Sequence, residues 1–337
     1  MARIALDAMG GDHAPQAPVA GALEALAELD AAHSIQLIGR RASIEEHLDR
    51  LAGASAAQRK RLEIVDAPDV VEMTDKPTDV RKKPHSSMMV GLKLQADGKS
   101  DAFVSAGNTG AQMAASMLLL RLHPGLKRPA IATIFPTGKR SVVVLDSGAN
   151  VDCSAEELVQ FAWLGAVYAE DILGRSNPAV GLLSIGEEPE KGNTVTKETH
   201  GLLAEAGLHF LGNVEGRDLP AGTSHHGDLD VVVCDGFVGN VILKFYEAVA
   251  PLMIGLLVKE GIQEQSIRKA LRPLDYSEYG GAPLLGVKGV SIICHGRSSP
   301  AAIKNALKGA VRAVDSKMNE HIGRRFERAA AGAGGGA

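Results

Sequence analysis

Six short polar loops, rich in glycine, each follow an apolar run of the sequence and precede a stretch with helical spacing. They occupy residues 7–12, 105–110, 146–150, 186–193, 235–240 and 295–299. Glycine allows close backbone approach, and a helix N-terminus offers unpaired N–H groups and a partial positive charge, so such loops suit a small anion. Ordinary helix caps and turns would explain any one of these loops about as well, but not all six together.

Lys191 is the one cation in the loop 186–193, which also contains Glu187, Glu188 and Glu190. The lysine could simply balance these carboxylates. A lysine followed by Gly-Asn at a helix start could instead combine a cation, backbone donors and a side-chain amide around one small oxyanion. We favour the second interpretation.

The elements that must position these loops are short apolar strands that alternate with longer helical stretches. We predict strands at residues 3–6, 35–38, 62–65, 102–104, 131–134, 142–145, 180–183, 231–234 and 290–294. We predict helices at residues 18–29, 86–95, 112–122, 154–173, 194–206, 239–258 and 300–320. The pattern is typical of an α/β fold, a mostly parallel sheet with helices on both faces. Because the carboxyl ends of parallel strands share one edge, we expect the six loops to converge on one crevice.

Length and composition indicate a globular protein and exclude several classes of partner. The 337 residues are 45% hydrophobic and 23% charged, which is typical of one large domain or two joined ones. A net charge of −4 and an aromatic content of 4% argue against nucleic acid as a partner. Three cysteines and no secretory signal predict a cytoplasmic protein without a disulfide framework.

Most familiar catalytic motifs are missing from the sequence. No GxGxxG follows a predicted strand, and neither GxSxG nor HExxH occurs. His225, His226 and Asp228 could ligate a metal, but their Gly/Ser surroundings favour a solvated loop. Cys294 beside His295 is a weak candidate nucleophile, since neighbours in a strand point to opposite faces. We therefore predict no metal and no cofactor.

The loops, together with one further segment, resemble the fatty acyl-ACP:phosphate acyltransferases of bacterial phospholipid synthesis. The matching motifs, between residues 3 and 321, are ALDAMGGDHAP, SAGNTGA, LDSGAN, GEEPEKGN, CDGFVGN, YGGAPLLG and HGRS. The resemblance implies a homodimeric α/β protein with a fold like those of isocitrate and isopropylmalate dehydrogenases and of phosphotransacetylase. It also implies transfer of a fatty acyl group from acyl carrier protein (ACP) to inorganic phosphate, without metal or nucleotide. The acyl phosphate would then pass to a membrane glycerol phosphate acyltransferase.

This reaction needs no nucleophile from the enzyme, because a phosphate oxygen attacks the thioester and a thiol of pKa about 8.5 leaves readily. It needs a pocket for phosphate, donors for the developing oxyanion and an apolar channel for the acyl chain. The expected catalytic residues are Lys191, Asn193, Asn240, His295 and Ser298. The expected substrate-binding residues are Gly10, Gly11, Asp12, Gly107, Asn108, Thr109, Gly110, Asn150 and Gly239.

By this hypothesis Lys191, Asn193 and the backbone N–H groups of residues 107–110 hold phosphate, while Asn240 or Ser298 polarises the carbonyl. His295 either protonates the departing thiolate or makes a structural hydrogen bond.

Three acidic side chains of the loops have a separate expected role. Asp7, Asp12 and Asp146 order the loops, because carboxylates beside a phosphate dianion would repel it.

We interpret residues 1–325 as a single large α/β domain with two lobes and residues 326–337 as a flexible Ala/Gly-rich tail. Residues 241–278 correspond to a helical hairpin through which members of the family can touch the membrane. Here the hairpin carries five basic and five acidic residues, so the attraction of anionic lipid is weak. We favour dimer contact or core packing, with peripheral attachment at the inner face of the membrane as the alternative.

Basic clusters are the natural candidates for docking the acidic ACP, although a solvated helix face would explain each cluster alone. They lie at residues 81–83, 127–128, 139–140 and 268–272.

Two other functions stay open at this point. A nicotinamide-dependent dehydrogenase of the same fold superfamily would need a dinucleotide site and usually a pair of metal-binding aspartates. A non-catalytic ACP-binding scaffold would keep the basic clusters but has no need of the glycine-rich loops.

Overall fold

The computed structural model describes residues 1–51, 55–272 and 279–333. The chain forms two compact units. Unit 1 comprises Met1–Gly125 with Tyr279–Ala337, and unit 2 comprises Leu126–Glu278.

The regular elements of the described residues are numbered in chain order. Strands β1 to β14 are Arg3–Asp7, Ser34–Gly39, Leu62–Asp66, Ala102–Ser105, Ala130–Ile131, Thr133–Phe135, Val142–Leu145, Ala179–Leu183, His209–Val214, Thr223–Ser224, Gly227–Asp228, Val231–Val233, Ala282–Leu285 and Val290–Ile293. Helices α1 to α12 are Gln16–Glu28, Arg41–Arg50, Ala56–Arg59, Ser87–Ala96, Thr109–Leu119, Ala155–Asp171, Thr194–Glu205, Asp218–Ala221, Gly236–Lys259, Glu264–Leu271, Pro300–Asp315 and Met318–Ala333. A 3₁₀ helix spans Pro77–Lys82.

The sheet of unit 1 has the strand order β3-β2-β1-β4-β14-β13. Its strands run parallel except β13, which pairs antiparallel with β14. The central strands, β1 and β4, are apolar between their end residues and are fully buried at Ile4, Leu6 and Val104. Burial of both faces explains why these strands are continuous apolar runs rather than alternating ones.

Unit 2 contains a five-stranded sheet with the order β6-β7-β12-β8-β9. Strands β7, β12, β8 and β9 are parallel, and β6 is an antiparallel edge strand. One face of this sheet packs a buried cluster that includes Phe135, Val144 and Val232, against which Ile242 and Tyr246 of α9 lie. The first half of α9 is therefore anchored to the sheet by hydrophobic burial.

Most predicted strands are confirmed to within a residue or two, and two predicted elements prove to be divided. The predicted strand 131–134 is two strands, with β6 turned antiparallel to β7. The predicted helix 300–320 is α11 and α12, because Lys317 adopts a left-handed φ of 57° that a continuous helix does not allow.

Four further strands, β9, β10, β11 and β13, escape prediction from the sequence. β10 and β11 have two residues each, too few for an apolar pattern. β9 contains Gly212 at φ 97° and pairs with β8 through an irregular register, so its apolar run is interrupted. β13 is short and includes Pro283, which is typical of turns rather than of strands.

The helical hairpin predicted at residues 241–278 corresponds to α9 and α10, which extend from Gly236 to Leu271. Residues 273–278 of that prediction lie outside the described residues. In the segment predicted as a flexible tail, α12 continues through Ala333, and residues 334–337 again lie outside the described residues.

Close packing of α6 on the sheet of unit 2 depends on Gly165. A Cβ at this position would lie 2.5 Å from Cγ1 of Val231 and 2.8 Å from Cδ1 of Leu145. We expect Gly165→Ala to lower the free energy of unfolding by about 1–3 kcal/mol, measured by urea denaturation, because the overpacked helix must shift. The matched control is Gly201→Ala in α7, where the new Cβ meets nothing within 4 Å. That control should raise the free energy of unfolding by up to about 1 kcal/mol. Equal effects of the two substitutions would contradict this view of α6.

Candidate active site

Each unit brings three of the six predicted loops to one edge of its sheet. In unit 1 the loops 7–12, 105–110 and 295–299 follow β1, β4 and β14, which are neighbouring parallel strands. In unit 2 the loops 146–150, 235–240 and 186–193 follow β7, β12 and β8, again neighbours. The predicted convergence is confirmed within each unit, and convergence of all six loops stays a prediction.

In unit 1 the first and last of these loops touch through their backbones. The N–H of Asp12 donates to the carbonyl oxygen of Gly296 at 2.7 Å. Gly11 has φ 100°, and a Cβ there would lie 2.9 Å from the same carbonyl oxygen. This contact requires glycine at residue 11 both for its conformation and for the close approach.

A buried carboxylate, that of Asp7, joins the first loop to the second. Its Oδ2 accepts a hydrogen bond from the Ser105 hydroxyl at 2.7 Å, and its Oδ1 accepts one from the Met9 N–H at 3.1 Å. The Ser105 oxygen in turn accepts from the N–H of Gly107 at 3.0 Å. Burial raises the pKa of Asp7, while these hydrogen bonds act in the opposite direction. Asp7 therefore orders the turns, as we predicted.

Asn108 caps helix α5 and has no unused side-chain group. Its Oδ1 accepts from the N–H of Ala111 at 3.0 Å. Its Nδ2 donates to the backbone carbonyls of Asp75 at 2.9 Å and Met73 at 3.1 Å. Thr109, the next residue, is exposed at the helix start.

His295 and Ser298 lie in the last loop of unit 1. Nδ1 of His295 accepts a hydrogen bond from the N–H of Arg297 at 3.1 Å, which places the proton of the neutral ring on Nε2. Ser298 is buried, and its N–H donates to the carbonyl of His295 at 2.9 Å. The two residues belong to one tight turn.

In unit 2 the carboxylate of Asp146, fully buried, organises the loop 146–150. Oδ1 accepts from the N–H groups of Ile131, Gly148 and Ala149 at 3.0, 3.2 and 3.0 Å. Oδ2 accepts from the backbone and side-chain nitrogens of Asn150 at 2.6 and 2.8 Å. Burial raises the pKa of Asp146 as well. Asn150 also donates to the carbonyl of Pro129 at 2.8 Å, so its amide is committed to the loop.

Gly239 allows α9 to pack directly on this loop. A Cβ on Gly239 would collide with the carbonyl oxygen of Asp146. This packing requirement explains why residue 239 is glycine, and the substrate-binding role of Gly239 stays a prediction. The side chain of Asn240, one residue on, is exposed beside Gly148, where an added Cβ would lie 3.4 Å from Asn240 Oδ1.

Lys191 is an exposed cation without a carboxylate partner in the part of the chain that the structure describes. Glu187, which could have balanced it, instead pairs with Arg217 at 3.4 Å and with His225 at 3.1 Å. The side-chain stem of Lys191 packs over Gly186, where a Cβ would lie 2.8 Å from Lys191 Cγ. Lys191 therefore forms no contact ion pair with a carboxylate of its own loop among the described residues, although Glu188 Oε2 lies on the same side of Gly186 as the lysine stem.

Asn193 caps helix α7 two residues after Lys191. Its Oδ1 accepts from the N–H and the hydroxyl of Thr196 at 2.8 and 3.0 Å. The side-chain oxygen is thus committed to the cap, and the amide nitrogen is the group that can serve a ligand.

The cysteines are unsuited to nucleophilic catalysis. Cys294 is buried, and burial raises the pKa of its thiol to about 12. Burial likewise raises the pKa of Cys153 to about 12. With these pKa values neither thiol is ionised at neutral pH. Because the thiolate is the nucleophilic form of cysteine, neither residue is suited to attack a substrate.

The described residues contain no group of three side chains suited to a metal ion. His225 and His226 stand exposed beside a two-stranded hairpin, β10 and β11, with their rings 4.0 Å apart.

Residues 69–86 pack on two of the unit 1 loops, a position that the sequence did not predict; only the basic cluster 81–83 and the helix start at residue 86 stood out in this segment. A Cβ on Gly110 would lie 2.7 Å from Pro77, and one on Gly296 would lie 3.2 Å from Met73. The segment mixes acidic, basic and turn-forming residues, so no periodic signal distinguishes it from an ordinary surface loop.

Comparisons with known proteins agree with the predicted resemblance. A family model described as "Fatty acid synthesis protein" matches residues 2–321. The chain is 48% identical to the phosphate acyltransferase of Heliobacterium modesticaldum, over 96% of this chain and 99% of the relative. It is 45% identical to that of Synechocystis sp., over 95% and 93% of the two chains.

Solved structures confirm the fold class. The EutD phosphotransacetylase from Staphylococcus aureus matches with a TM-score of 0.62 at 16% identity, over 93% of this chain and 94% of that one. A phosphotransacetylase from Streptococcus pyogenes matches with a TM-score of 0.61 at 17% identity, over the same shares. At this identity the likeness establishes the fold, an α/β architecture of mostly parallel sheets flanked by helices.

The sequence relatives establish more than the fold, because they match nearly the whole chain at close to half of the aligned positions. The loops described above all lie inside the matched region. The chain therefore belongs to the phosphate acyltransferase family of fatty acid synthesis proteins and is an acyltransferase.

Proposed function

We propose that this acyltransferase moves a fatty acyl group from the thioester of acyl-ACP to inorganic phosphate, giving acyl phosphate and free ACP. The acyl phosphate serves phospholipid synthesis, where a membrane glycerol phosphate acyltransferase consumes it. Neither a metal nor another cofactor takes part. The protein works in the cytoplasm.

The observation that carries this proposal is that Lys191, before helix α7, makes no ion pair with the described residues. The cation stands two residues before the capped helix N-terminus, and the nearby Glu187 is engaged by Arg217 and His225. A lysine ammonium, free backbone N–H groups and the Asn193 amide are complementary to a phosphate dianion. We assign phosphate binding to Lys191 and Asn193.

The attack is direct and forms no acyl-enzyme. A phosphate oxygen forms a C–O bond with the thioester carbonyl carbon while the carbonyl electrons move onto its oxygen. Asn240, exposed on the adjacent loop of unit 2, donates a hydrogen bond to that developing oxyanion. The C–S bond then breaks, its electron pair remains on sulfur, and the thiolate takes up a proton. The protonated cysteines of the enzyme fit a mechanism without a protein nucleophile.

Three roles predicted for unit 1 form part of this proposal. The Gly107 N–H donates to Ser105, so the backbone N–H groups of residues 108–110 are the part of the predicted turn 107–110 that contacts phosphate. Ser298 is the alternative donor to the carbonyl, and His295 is the candidate proton donor to the thiolate. An Nε2 proton on His295, which follows from its contact with the Arg297 N–H, suits that role.

Ion pairing narrows the candidates for the ACP docking face. Lys127 and Arg128 pair with Glu156 and Glu157 at 3.6 and 3.0 Å. The two glutamates neutralise the positive charge of this cluster, so little net electrostatic field remains to attract an acidic partner.

The cluster 139–140 is neutralised in the same way, since Lys139 pairs with Asp228 at 2.8 Å and Arg140 with Asp230 at 3.4 Å. In the cluster 81–83, Lys82 pairs with Asp79 at 2.7 Å and Lys83 with Asp75 at 2.6 Å, so only Arg81 of this cluster can contribute to a field that steers ACP. Among the four clusters we therefore place ACP at residues 81–83, where Arg81 is exposed and makes no ion pair with the described residues, and at Lys269 in the cluster 268–272.

Helix α9 presents an apolar face that we assign to a homodimer contact. Phe245, Leu252 and Leu256 are 69%, 61% and 50% exposed. By length and composition, α9 alone among the described helices could cross a membrane, with a mean hydropathy of 1.9. Its first half is anchored on the sheet of unit 2 through Ile242 and Tyr246, which a spanning helix could not be. Core packing therefore explains the apolar side chains of α9 that face the sheet. We assign the exposed apolar side chains of α9 to contact with a second copy of the chain.

The activity itself is tested with purified protein, acyl-ACP and phosphate. We expect release of free thiol that depends on phosphate, with acyl phosphate as the product. Added nicotinamide cofactor should leave the unfolding temperature unchanged, because no dinucleotide site is proposed. Thiol release that does not depend on phosphate would contradict the proposal. A rise in the unfolding temperature on addition of nicotinamide cofactor would also contradict it and would favour a dehydrogenase. An ACP-binding protein without turnover would point to a scaffold.

Removal of the Lys191 ammonium should weaken phosphate binding. We expect Lys191→Ala to raise the KM for phosphate about 10- to 100-fold, since a charge-assisted hydrogen bond contributes about 1.5–3 kcal/mol. Circular dichroism should show the parent fold. The matched control is Lys197→Ala, an exposed lysine further along the same helix, which should leave KM unchanged. A parent-like KM for Lys191→Ala would remove this residue from the site.

A charge on the exposed face of α9 should dissociate the dimer. We expect Leu256→Asp to shift the protein from dimer to monomer in sedimentation equilibrium, because a buried unpaired carboxylate is costly. Leu202→Asp, which alters a partly exposed leucine of α7 (37%), should leave the dimer intact. The parent protein should not pellet with anionic vesicles at physiological salt. A monomeric parent, or pelleting that resists salt, would overturn the assignment of this face.

A further inference from the structure

Residues 69–86, between β3 and α4, form a closed loop that we call the cover loop. Asp69 forms a parallel bridge with Ser86, and the Ser87 N–H donates to the carbonyl of Asp69 at 3.1 Å. The two ends of the loop are therefore joined. Compact loops with joined ends and their own internal contacts are frequently functional.

Lys83 and Asp75 hold the interior of the cover loop. Lys83 Nζ donates to the carbonyl of Val70 at 2.9 Å and to Oδ2 of Asp75 at 2.6 Å. The same carboxylate accepts from the N–H of Glu72 at 2.8 Å. These internal hydrogen bonds give the cover loop a defined conformation.

The cover loop rests on the glycine-rich turns of unit 1. Pro77 packs on Gly110, where a Cβ would lie 2.7 Å from Pro77 Cγ. Met73 packs on Gly296, where a Cβ would lie 3.2 Å from Met73 Cε. Because the glycines have no side chains, the cover loop approaches both turns at backbone distance.

Asn108 is the polar side chain that ties the cover loop to the turn 107–110. Its carboxamide is buried, and the Nδ2 group donates to the carbonyls of Asp75, Met73 and Glu72 at 2.9, 3.1 and 3.4 Å. Its Oδ1 simultaneously caps α5. A serine or aspartate could provide the capping oxygen, but neither has the amide donors.

We propose that Asn108 is a positioning residue for phosphate binding. It holds the cover loop against residues 107–110, and the cover loop keeps that turn in the shape in which its N–H groups meet phosphate. The proposal rests on the function proposed above. It replaces the direct contact with substrate that we predicted for Asn108, since every polar group of this side chain already bonds to the protein backbone.

The test is Asn108→Ser, which keeps a capping oxygen and removes the amide donors. We expect the KM for phosphate to rise about tenfold while kcat stays within about threefold of the parent value, as for a binding group displaced by a fraction of an ångström. Amide hydrogens of residues 69–86 should exchange faster, and the unfolding temperature should stay close to the parent's. Asn108→Asp should raise the KM for phosphate at least as much, because it lacks the donors and also places a carboxylate beside the phosphate dianion.

The matched control is Ser55→Ala, which removes the capping side chain of α3 in the same unit. It should leave the KM for phosphate unchanged. An Asn108→Ser variant with parent KM and parent exchange in the cover loop would overturn the role of Asn108. A fall in unfolding temperature and kcat without a change in KM would also overturn it, by showing a purely structural role. A parent protein without phosphate-dependent thiol release would instead overturn the proposed function.

Discussion

A buried carboxylate at the end of a central strand is the interaction on which the candidate site of each unit depends. Asp7 at the end of β1 and Asp146 directly after β7 accept hydrogen bonds from N–H and hydroxyl groups of the following turns and of neighbouring strands. Backbone N–H groups buried in a glycine-rich turn are costly when unpaired. A carboxyl acceptor at the sheet edge satisfies them and fixes the turn, while burial raises the pKa of that carboxyl group. Because the turns are fixed, the N-termini of the helices that follow them are also held in a fixed orientation.

The candidate side chains divide into those committed to the scaffold and those left for a ligand. Asn108 and Asn150 use their carboxamides on backbone carbonyls and on Asp146. Lys191 and Asn240 stand exposed without protein partners among the described residues. Helix capping explains part of this division, because an asparagine at the N-cap must give its oxygen to the first turn. A side chain with no such obligation can respond to charge that develops in a substrate.

Much of the architecture could be predicted from the sequence because its signals are local. Apolar runs such as residues 142–145 identify strands buried on both faces, and the polar glycine-rich loops mark where the strands end. The breaks at Ala132 and Lys317 and the irregular strand β9 could not be predicted, because they arise from edge pairing and packing rather than from residue type. The position of the cover loop could not be predicted from the sequence either. Its position over Gly110 and Gly296 depends on contacts between residues far apart in the chain.

The amino-acid sequence by itself determined the fold class, the family and the loops that carry the polar side chains, since these follow from hydrophobic periodicity and from ordered motifs. It also specified glycine wherever a backbone had to approach closely. Only the tertiary structure decided which of those side chains are spent on capping and turn formation and which are free, as Lys191 and Asn108 show. The physical reason is that hydrogen-bond partners are chosen by three-dimensional proximity, so a residue's type states what it can bind and not what it has already bound.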